Sequence, residues 1–144
     1  MLILIDSNEK KPWLFEGERS EFRSMKKSGF DYSVLGYLKF IGVERKSYSD
    51  FLGRISTKKS LAKFKKNQLE KLIKVPYSCI IVEGHPGVKN RYGKIPPTVV
   101  LDKTIDIIQN YGIPIIFAGS RSLGERACLL WLKKAMAKVD KGEI

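Results

Sequence analysis

The 144-residue chain carries 27 Lys and Arg residues against 15 Asp and Glu, a formal net charge of +12. An apolar fraction of 43% is typical of a globular domain and excludes extensive disorder, and no apolar run reaches the roughly 20 residues of a membrane span. The charge predicts a polyanionic partner, nucleic acid first, with solubility as the plain alternative.

The amino terminus and the cysteines bear on the compartment. The first residues lack a basic segment, and the apolar run reaches Asp6 too soon for a secretory signal, so it predicts a strand. Cys79 and Cys128 are isolated and there is one histidine, which disfavours a zinc site and predicts two buried thiols. We expect a cytoplasmic, DNA-associated protein that is neither secreted nor bound to a membrane.

The first half of the chain predicts three strands and a helix. Residues 2–5 form a short apolar strand, and residues 20–28 have helical spacing, with Gly29 as the stop. Residues 30–36 and 38–46 then predict two strands close enough to pair as an antiparallel hairpin.

The second half alternates helices and strands. It predicts helices at 49–55, 57–74, 98–111 and 121–139, and strands at 78–83 and 113–118. In the helix at 98–111 we expect Leu101, Ile105 and Ile108 to face inward. No glycine-rich phosphate loop follows a strand, which disfavours a nucleotide-binding fold. The order predicts one domain over residues 1–144, a three-layer α/β fold with a central mixed β-sheet flanked by helices.

Charged residues interrupt the end of the apolar run that reaches Val43. Glu44 and Lys46 are two residues apart, so on a strand they point to the same face. Charges at the end of a buried strand reduce stability unless they have a use. Asp31 starts the neighbouring strand and Asp6 ends the first one, so three acids are expected at the ends of apolar strands.

This arrangement suits phosphodiester hydrolysis, which needs an attacking water and neutralisation of the charge that builds up on phosphorus. Mg²⁺ held by carboxylates supplies both. Asp31 and Glu44 fit as direct ligands, Asp6 completes the acidic set with Glu9 nearby, and Lys46 can orient the water or stabilise the negative charge.

Each residue also has a plainer interpretation. Asp31 suits a hairpin start on the surface, and Glu44 with Lys46 suits an ion pair on a solvent-facing sheet edge. Asp50 is equally suited to the amino-terminal turn of a helix, where the helix dipole favours a negative charge.

The segment has a recognisable order. Asp31-Tyr32, followed after a gap by Val43-Glu44-Arg45-Lys46-Ser47-Tyr48-Ser49-Asp50, closely matches the Gly-Asp-x(n)-Glu-Arg-Lys-x-x-x-Asp signature of XPF-type structure-selective endonucleases. Ile5-Asp6-Ser7-Asn8-Glu9 resembles that family's Asp-x-Arg-Glu element, and Ile81-Val82-Glu83-Gly84 resembles its strand ending in Glu. Two positions depart from the pattern, since Asn8 replaces the arginine and Phe30 replaces the glycine before Asp31.

The resemblance implies a restriction-endonuclease-like fold and a Mg²⁺- or Mn²⁺-dependent endodeoxyribonuclease acting at branched, flap or junction DNA. It makes Asp31 and Glu44 metal ligands and Lys46 the catalytic lysine. The supporting site residues that it implies are Asp6, Glu9, Arg45 and Asp50. The family's tandem helix-hairpin-helix domain has no room after Val139, so we expect a stand-alone nuclease domain. A catalytically silent DNA-binding or scaffolding module is the alternative, and the complete set of acids with the lysine favours activity.

Two surfaces are candidates for partners. The helix at 57–74 is strongly basic and can follow a DNA backbone, although a solvated face explains the charge equally well. The candidate DNA-binding residues are Lys58, Lys59, Lys63, Lys65, Lys66 and, in the loop at 84–97, Arg91. The apolar stripes of the last two helices either close the core or form the face of a homodimer.

Overall fold

A computed structural model of the chain describes residues 1–25, 27–87 and 95–144. The candidate DNA-binding residue Arg91 lies outside the described residues. Within the described ranges, no helix has both the length and the apolar character that crossing a membrane requires.

One six-stranded sheet runs through the domain. Its strands are β1 (Ile3–Asp6), β2 (Ser20–Arg23), β3 (Tyr32–Val34), β4 (Ile41–Ser47), β5 (Tyr77–Glu83) and β6 (Ile115–Ala118), in the spatial order β2-β1-β3-β4-β5-β6. The pairs β1–β3 and β3–β4 are antiparallel, and β1–β2, β4–β5 and β5–β6 are parallel. The predicted hairpin pairing and the mixed sheet are therefore confirmed.

Helical segments connect and cover the strands. They are α1 (Tyr48–Ile55), α2 (Lys58–Phe64), a π-helical turn (Lys65–Leu69), α3 (Glu70–Leu72), α4 (Pro97–Tyr111) and α5 (Arg121–Asp140). Side-chain oxygens cap three of them, since Ser47, Thr57 and Ser120 accept hydrogen bonds from the first backbone N–H groups of α1, α2 and α5. The predicted helix at 57–74 is thus present, but the π turn interrupts it.

Two apolar cores lie on opposite faces of the sheet. One packs α1, α2, the π turn and α4 against the face that carries Leu4 and Ile80. The other packs α5, Trp13 and Phe15 against the face that carries Ile5, Val43 and Ile81. Because side chains alternate along each strand, β1 and β5 contribute to both cores. The predicted three-layer arrangement is confirmed.

The predicted helix at residues 20–28 is wrong. Residues Ser20–Arg23 form β2, which pairs in parallel with β1 along the edge of the sheet. This pairing satisfies backbone groups of β1 that a helix would leave exposed, and it places Phe22 in solvent with 52% of its surface accessible. Backbone pairing, which has no strong signature in the sequence, outweighs the helical spacing of the apolar residues.

The predicted inward face of α4 is also wrong. Leu101, Ile105 and Ile108 are 45%, 50% and 37% exposed, whereas Val100 and Ile107 are buried. The helix carries apolar residues on two adjacent stripes, and periodicity alone does not decide which stripe packs on the sheet.

The predicted homodimer stays a prediction that a light-scattering mass can check.

Candidate functional site

Strand pairing gathers the charged side chains of Asp6, Asp31, Glu44 and Lys46 at the same end of three neighbouring strands. The N–H of Asp6 donates to the carbonyl of Asp31 at 2.8 Å, and the N–H of Asp31 donates to the carbonyl of Val43 at 2.9 Å. Successive side chains on a strand point to opposite faces of the sheet. Residues 6, 44 and 46 therefore all lie on the face that α2 covers. Asp6, Asp31 and Glu44 line an open cleft of about 280 Å³.

Glu44 and Lys46 form a buried ion pair. The Nζ atom of Lys46 lies 2.9 Å from Oε1 of Glu44, with 3% of Glu44 and 6% of Lys46 exposed. Burial raises the pKa of Glu44, and the positive charge of Lys46 opposes that rise. The alternative of a solvent-facing pair is therefore wrong. A buried pair adds little to stability compared with apolar residues, so this one is more easily explained by a function.

Asp31 is held beside Glu44 by the backbone of β4. Its Oδ2 atom accepts a hydrogen bond from the N–H of Arg45 at 2.9 Å. Burial, and after it the charge of Glu44, raise the pKa of Asp31 to about 8. The raised pKa favours a proton on Asp31 at neutral pH, next to the Glu44 side chain.

Asp6 lines the cleft with this pair, but one of its carboxylate oxygens is already bound to the backbone. Its Oδ1 atom accepts a hydrogen bond from the N–H of Met25 at 2.9 Å. Among the described residues, no three His, Cys, Asp or Glu side chains come together in a way that could hold a metal ion. The predicted three-acid set is therefore not assembled in this geometry, and Asp31 with Glu44 forms its core.

Arg45 points to the opposite face of the sheet. Its guanidinium lies 2.9 Å from a carboxylate oxygen of Glu83, 4.0 Å from Glu9 and 4.6 Å from the centre of the Trp13 ring, and it donates to the carbonyl of Lys11. The indole N–H of Trp13 donates to the same Glu83 oxygen at 2.8 Å. Arg45 and Glu9 therefore belong to a network that fixes the loop after β1, while the Arg45 N–H holds Asp31.

Asp50 is exposed in the first turn of α1, where its N–H donates to Oγ of Ser47 at 3.1 Å. The described lining of the cleft does not include it. This placement fits the plainer interpretation, a favourable charge at a helix amino terminus.

The basic residues of the helical segment separate into different surfaces. Lys63 lines the acidic cleft, together with Arg54 and Lys71, which were not among the residues predicted from the sequence. Lys65 instead lines a groove against α4 beside Asp106. The remaining candidates, Lys58, Lys59 and Lys66, are exposed.

Two polar side chains in the cleft wall, Asn67 and Gln68, were also not predicted from the sequence. Both lie in the π turn, so the regular helical register expected from the sequence does not apply there. An amide on a basic helix carries no other signal of a site.

The departure at Phe30 has a local explanation. A Cβ atom at Gly42 would lie 2.5 Å from the Phe30 ring, so this ring packs against β4 because residue 42 has no side chain. Gly29 supplies the positive φ of 78° in the turn before it. The backbone of Asp31 is thus presented to β4 even though its predecessor is not a glycine.

The family model of the ERCC4 domain matches residues 5–124. XPF from Aeropyrum pernix has a similar structure, with a TM-score of 0.70 and 19% sequence identity, over 96% of this chain and 65% of that chain. XPF from Aeropyrum pernix in complex with DNA gives a TM-score of 0.67 at 20% identity, over 97% of this chain and 66% of that one.

These matches confirm the mixed-sheet α/β fold. The chain spans slightly less than two thirds of the length of each XPF chain. No curated protein matches the sequence. The family model covers most of the chain, including every strand from Ile5 to the end of β6. The chain belongs to the ERCC4 domain family.

Proposed function

We propose that this protein is a metal-dependent DNA endonuclease that hydrolyses phosphodiester bonds. The observation that supports it best is the cluster of half-buried Asp31 with buried Glu44 and Lys46, beside a cleft bordered by Arg54, Lys63 and Lys71. Carboxylates at the floor and cations at the rim suit a reaction in which a phosphate backbone lies over a divalent ion.

The donor chemistry at the floor of the cleft fits Mg²⁺ or Mn²⁺. Asp31 and Glu44 offer carboxylate oxygens to the same cleft, and a divalent cation can replace the proton that the raised pKa of Asp31 favours there. The backbone carbonyl of Arg45 lies between Glu44 and Lys46 in sequence as a further candidate oxygen. When bound, the cation would neutralise charge on the phosphate and lower the pKa of a water molecule.

Lys46 has the part of the lysine in such a site. Its ammonium group is held by Glu44 at 2.9 Å and lies 5.7 Å from the centre of the Phe64 ring, so its position is restricted. A fixed cation at this depth can orient the attacking water or stabilise the charge that develops on the phosphate oxygens. Little reorganisation is then needed when the reaction begins.

DNA is the polyanion that we propose for the rim. The chain has a net charge of +12, and one of the similar structures is a complex of XPF with DNA. Phosphate contacts of this kind bind without regard to sequence. The preference for branched, flap or junction DNA is proposed from the sequence signature around Glu44.

A nuclease assay tests the proposal. Purified protein is incubated with labelled duplex, single-stranded, flap and four-way junction DNA in Mg²⁺, Mn²⁺ or EDTA. We expect cutting that needs the divalent ion and that is lost in Asp31→Asn, while binding of the same DNA in Ca²⁺ is retained. Asn67→Ala, which changes a neighbouring cleft residue, is the matched control and should still cut.

A silent DNA-binding module is the second candidate. The observation that favours it is that no three acidic side chains assemble as metal ligands among the described residues. In the same assay this module would bind the flap substrate yet leave every substrate intact in Mg²⁺ and Mn²⁺. That result would exclude the nuclease.

A further inference from the structure

We propose that the side-chain carbonyl of Gln68 is the third protein ligand of the divalent cation, beside Asp31 and Glu44. The inference rests on the proposed function and extends its ligand set to a residue outside the sequence signature. It assigns to Gln68 the place that the sequence pattern gives to Asp6.

The first observation is an oxygen without a partner. Within the described residues, Oε1 of Gln68 is the one buried side-chain oxygen or nitrogen that has no hydrogen-bond partner. Leaving such a group unpaired is unfavourable, so a native structure normally supplies a donor or a cation. Gln68 lines the same cleft as Asp31 and Glu44, and its amide group contacts Glu44.

The second observation fixes which end of the amide faces the pair. Nε2 of Gln68 donates to Oε1 of Glu44 at 3.2 Å, and Lys46 contacts the same Glu44 oxygen at 2.9 Å. The reversed amide would put its oxygen against a carboxylate oxygen, which is repulsive. The amide nitrogen therefore stays on Glu44, and the carbonyl oxygen is left for another partner.

The neighbours of that oxygen favour a cation as the partner. Asp31 and Glu44 present acceptor oxygens to the same cleft, and a divalent ion is the partner that several oxygens can share. Glutamine carbonyls join carboxylates in the ligand sets of hard cations. Asp6 is the weaker candidate because, among the described residues, it does not come together with Asp31 and Glu44 in a way that could hold a metal ion.

The backbone provides independent support. Gln68 lies in the π turn, where the N–H of Glu70 donates to the carbonyl of Lys65, five residues earlier. The wider turn buries both Phe64 and Leu69, at 1% and 0% exposure, although they are five residues apart. Turns of this type are rare and often lie at functional sites. Here the turn places Gln68 at the wall of the cleft.

Nuclear magnetic resonance can observe this ligand directly. The chain contains two glutamines, Gln68 and Gln109, and Gln109 is exposed on α4. In protein labelled with ¹³C at the glutamine side-chain carbonyl, titration with Mg²⁺ should shift the Gln68 signal and leave that of Gln109 in place. The shift should disappear in Asp31→Asn, which removes a proposed ligand.

Affinity for Mn²⁺ supplies the second measurement, read by electron paramagnetic resonance without DNA. Gln68→Met keeps the shape but removes the oxygen, and it should raise the Kd for Mn²⁺ about tenfold. Gln68→Glu keeps an oxygen and should bind at least as tightly as wild type, which also shows that the turn tolerates substitution. Gln109→Met, the same substitution at the exposed glutamine of α4, should change the Kd by less than about twofold, since Gln109 lies outside the described lining of the cleft.

The outcomes separate this inference from the proposed function. If Asp31→Asn loses Mn²⁺ while Gln68→Met binds it like wild type, or if the Gln68 carbonyl signal does not move, Gln68 is not a ligand and the nuclease proposal stands. If wild type binds neither Mg²⁺ nor Mn²⁺, the metal-dependent function and the inference both fail.

Discussion

The charged residues on the two faces of β4 differ in how completely the polar groups around them are paired. On one face Arg45 is fully engaged by Glu83, by Glu9, by a backbone carbonyl and by the Trp13 ring. On the other face Glu44 and Lys46 are buried beside a cleft in which an amide oxygen has no partner among the described residues. A saturated network fixes a structure, whereas an unsaturated one has capacity for a ligand. We therefore expect Arg45 to support the site, and Glu44 and Lys46 to act in it.

The largest effect should come from Lys46. Replacing it by Met removes the fixed charge but keeps the length of the side chain, and we expect single-turnover cleavage of flap DNA to fall about 10²- to 10³-fold. Equilibrium DNA binding should change little because the lysine is buried rather than on the rim. Thermal melting checks that the variant is folded. Cleavage at the wild-type rate would remove Lys46 from the catalytic set.

The pH dependence of stability should be the next largest effect. The raised pKa of Asp31, about 8, means that the folded protein keeps a proton which the unfolded chain releases near pH 4. Its stabilising contribution is complete below about pH 4 and is lost as the pH rises through about 8, with a slope of up to about 1.4 kcal/mol per pH unit.

Asp31→Asn cannot titrate, so it should lack this component. Urea unfolding in EDTA at several pH values measures the difference between the two proteins. We expect wild type to lose stability relative to Asp31→Asn between about pH 4 and about pH 8. A constant difference across that range would show that Asp31 is not protonated in the folded state.

Arg45 tests the supporting face. Arg45→Ala leaves Glu83 and Glu9 without their cation and removes the packing on Trp13, so we expect a loss of about 1–3 kcal/mol in the free energy of unfolding. Exposed Arg54 is the matched control, and Arg54→Ala should change stability by less than about 0.5 kcal/mol. If Arg45→Ala unfolds like wild type but cannot cleave, Arg45 belongs to the acting face instead.

The sequence was sufficient to predict the pairing of the hairpin and the presence of Asp31, Glu44 and Lys46 at one edge of the sheet. Alternation along a strand is a local rule, and these residues follow it. The failures involve long-range choices. Residues 20–23 form an edge strand because β1 offers backbone groups, and α4 packs with one of two apolar stripes.

Gln68 was not predictable for a different reason. Its position depends on the π turn, which shifts the register by a fraction of a turn within a helix whose composition is ordinary. Asp6 was correctly placed near the cleft, but its hydrogen bond to Met25 depends on the path of the chain after β2.

The smallest predicted effect concerns DNA binding by two lysines of the basic helical segment. Lys63 lines the acidic cleft, whereas Lys65 lines the groove against α4. If Lys63 binds a phosphate, Lys63→Ala should weaken DNA binding a few-fold and reduce the slope of log Kd against log salt by about one. Lys65→Ala removes the same charge two residues away, so equal effects in both variants would mean that net charge, and not the rim of the cleft, binds DNA. We expect the Lys65→Ala slope to equal that of wild type in fluorescence-anisotropy titrations over a range of salt concentrations, because its side chain lies towards α4.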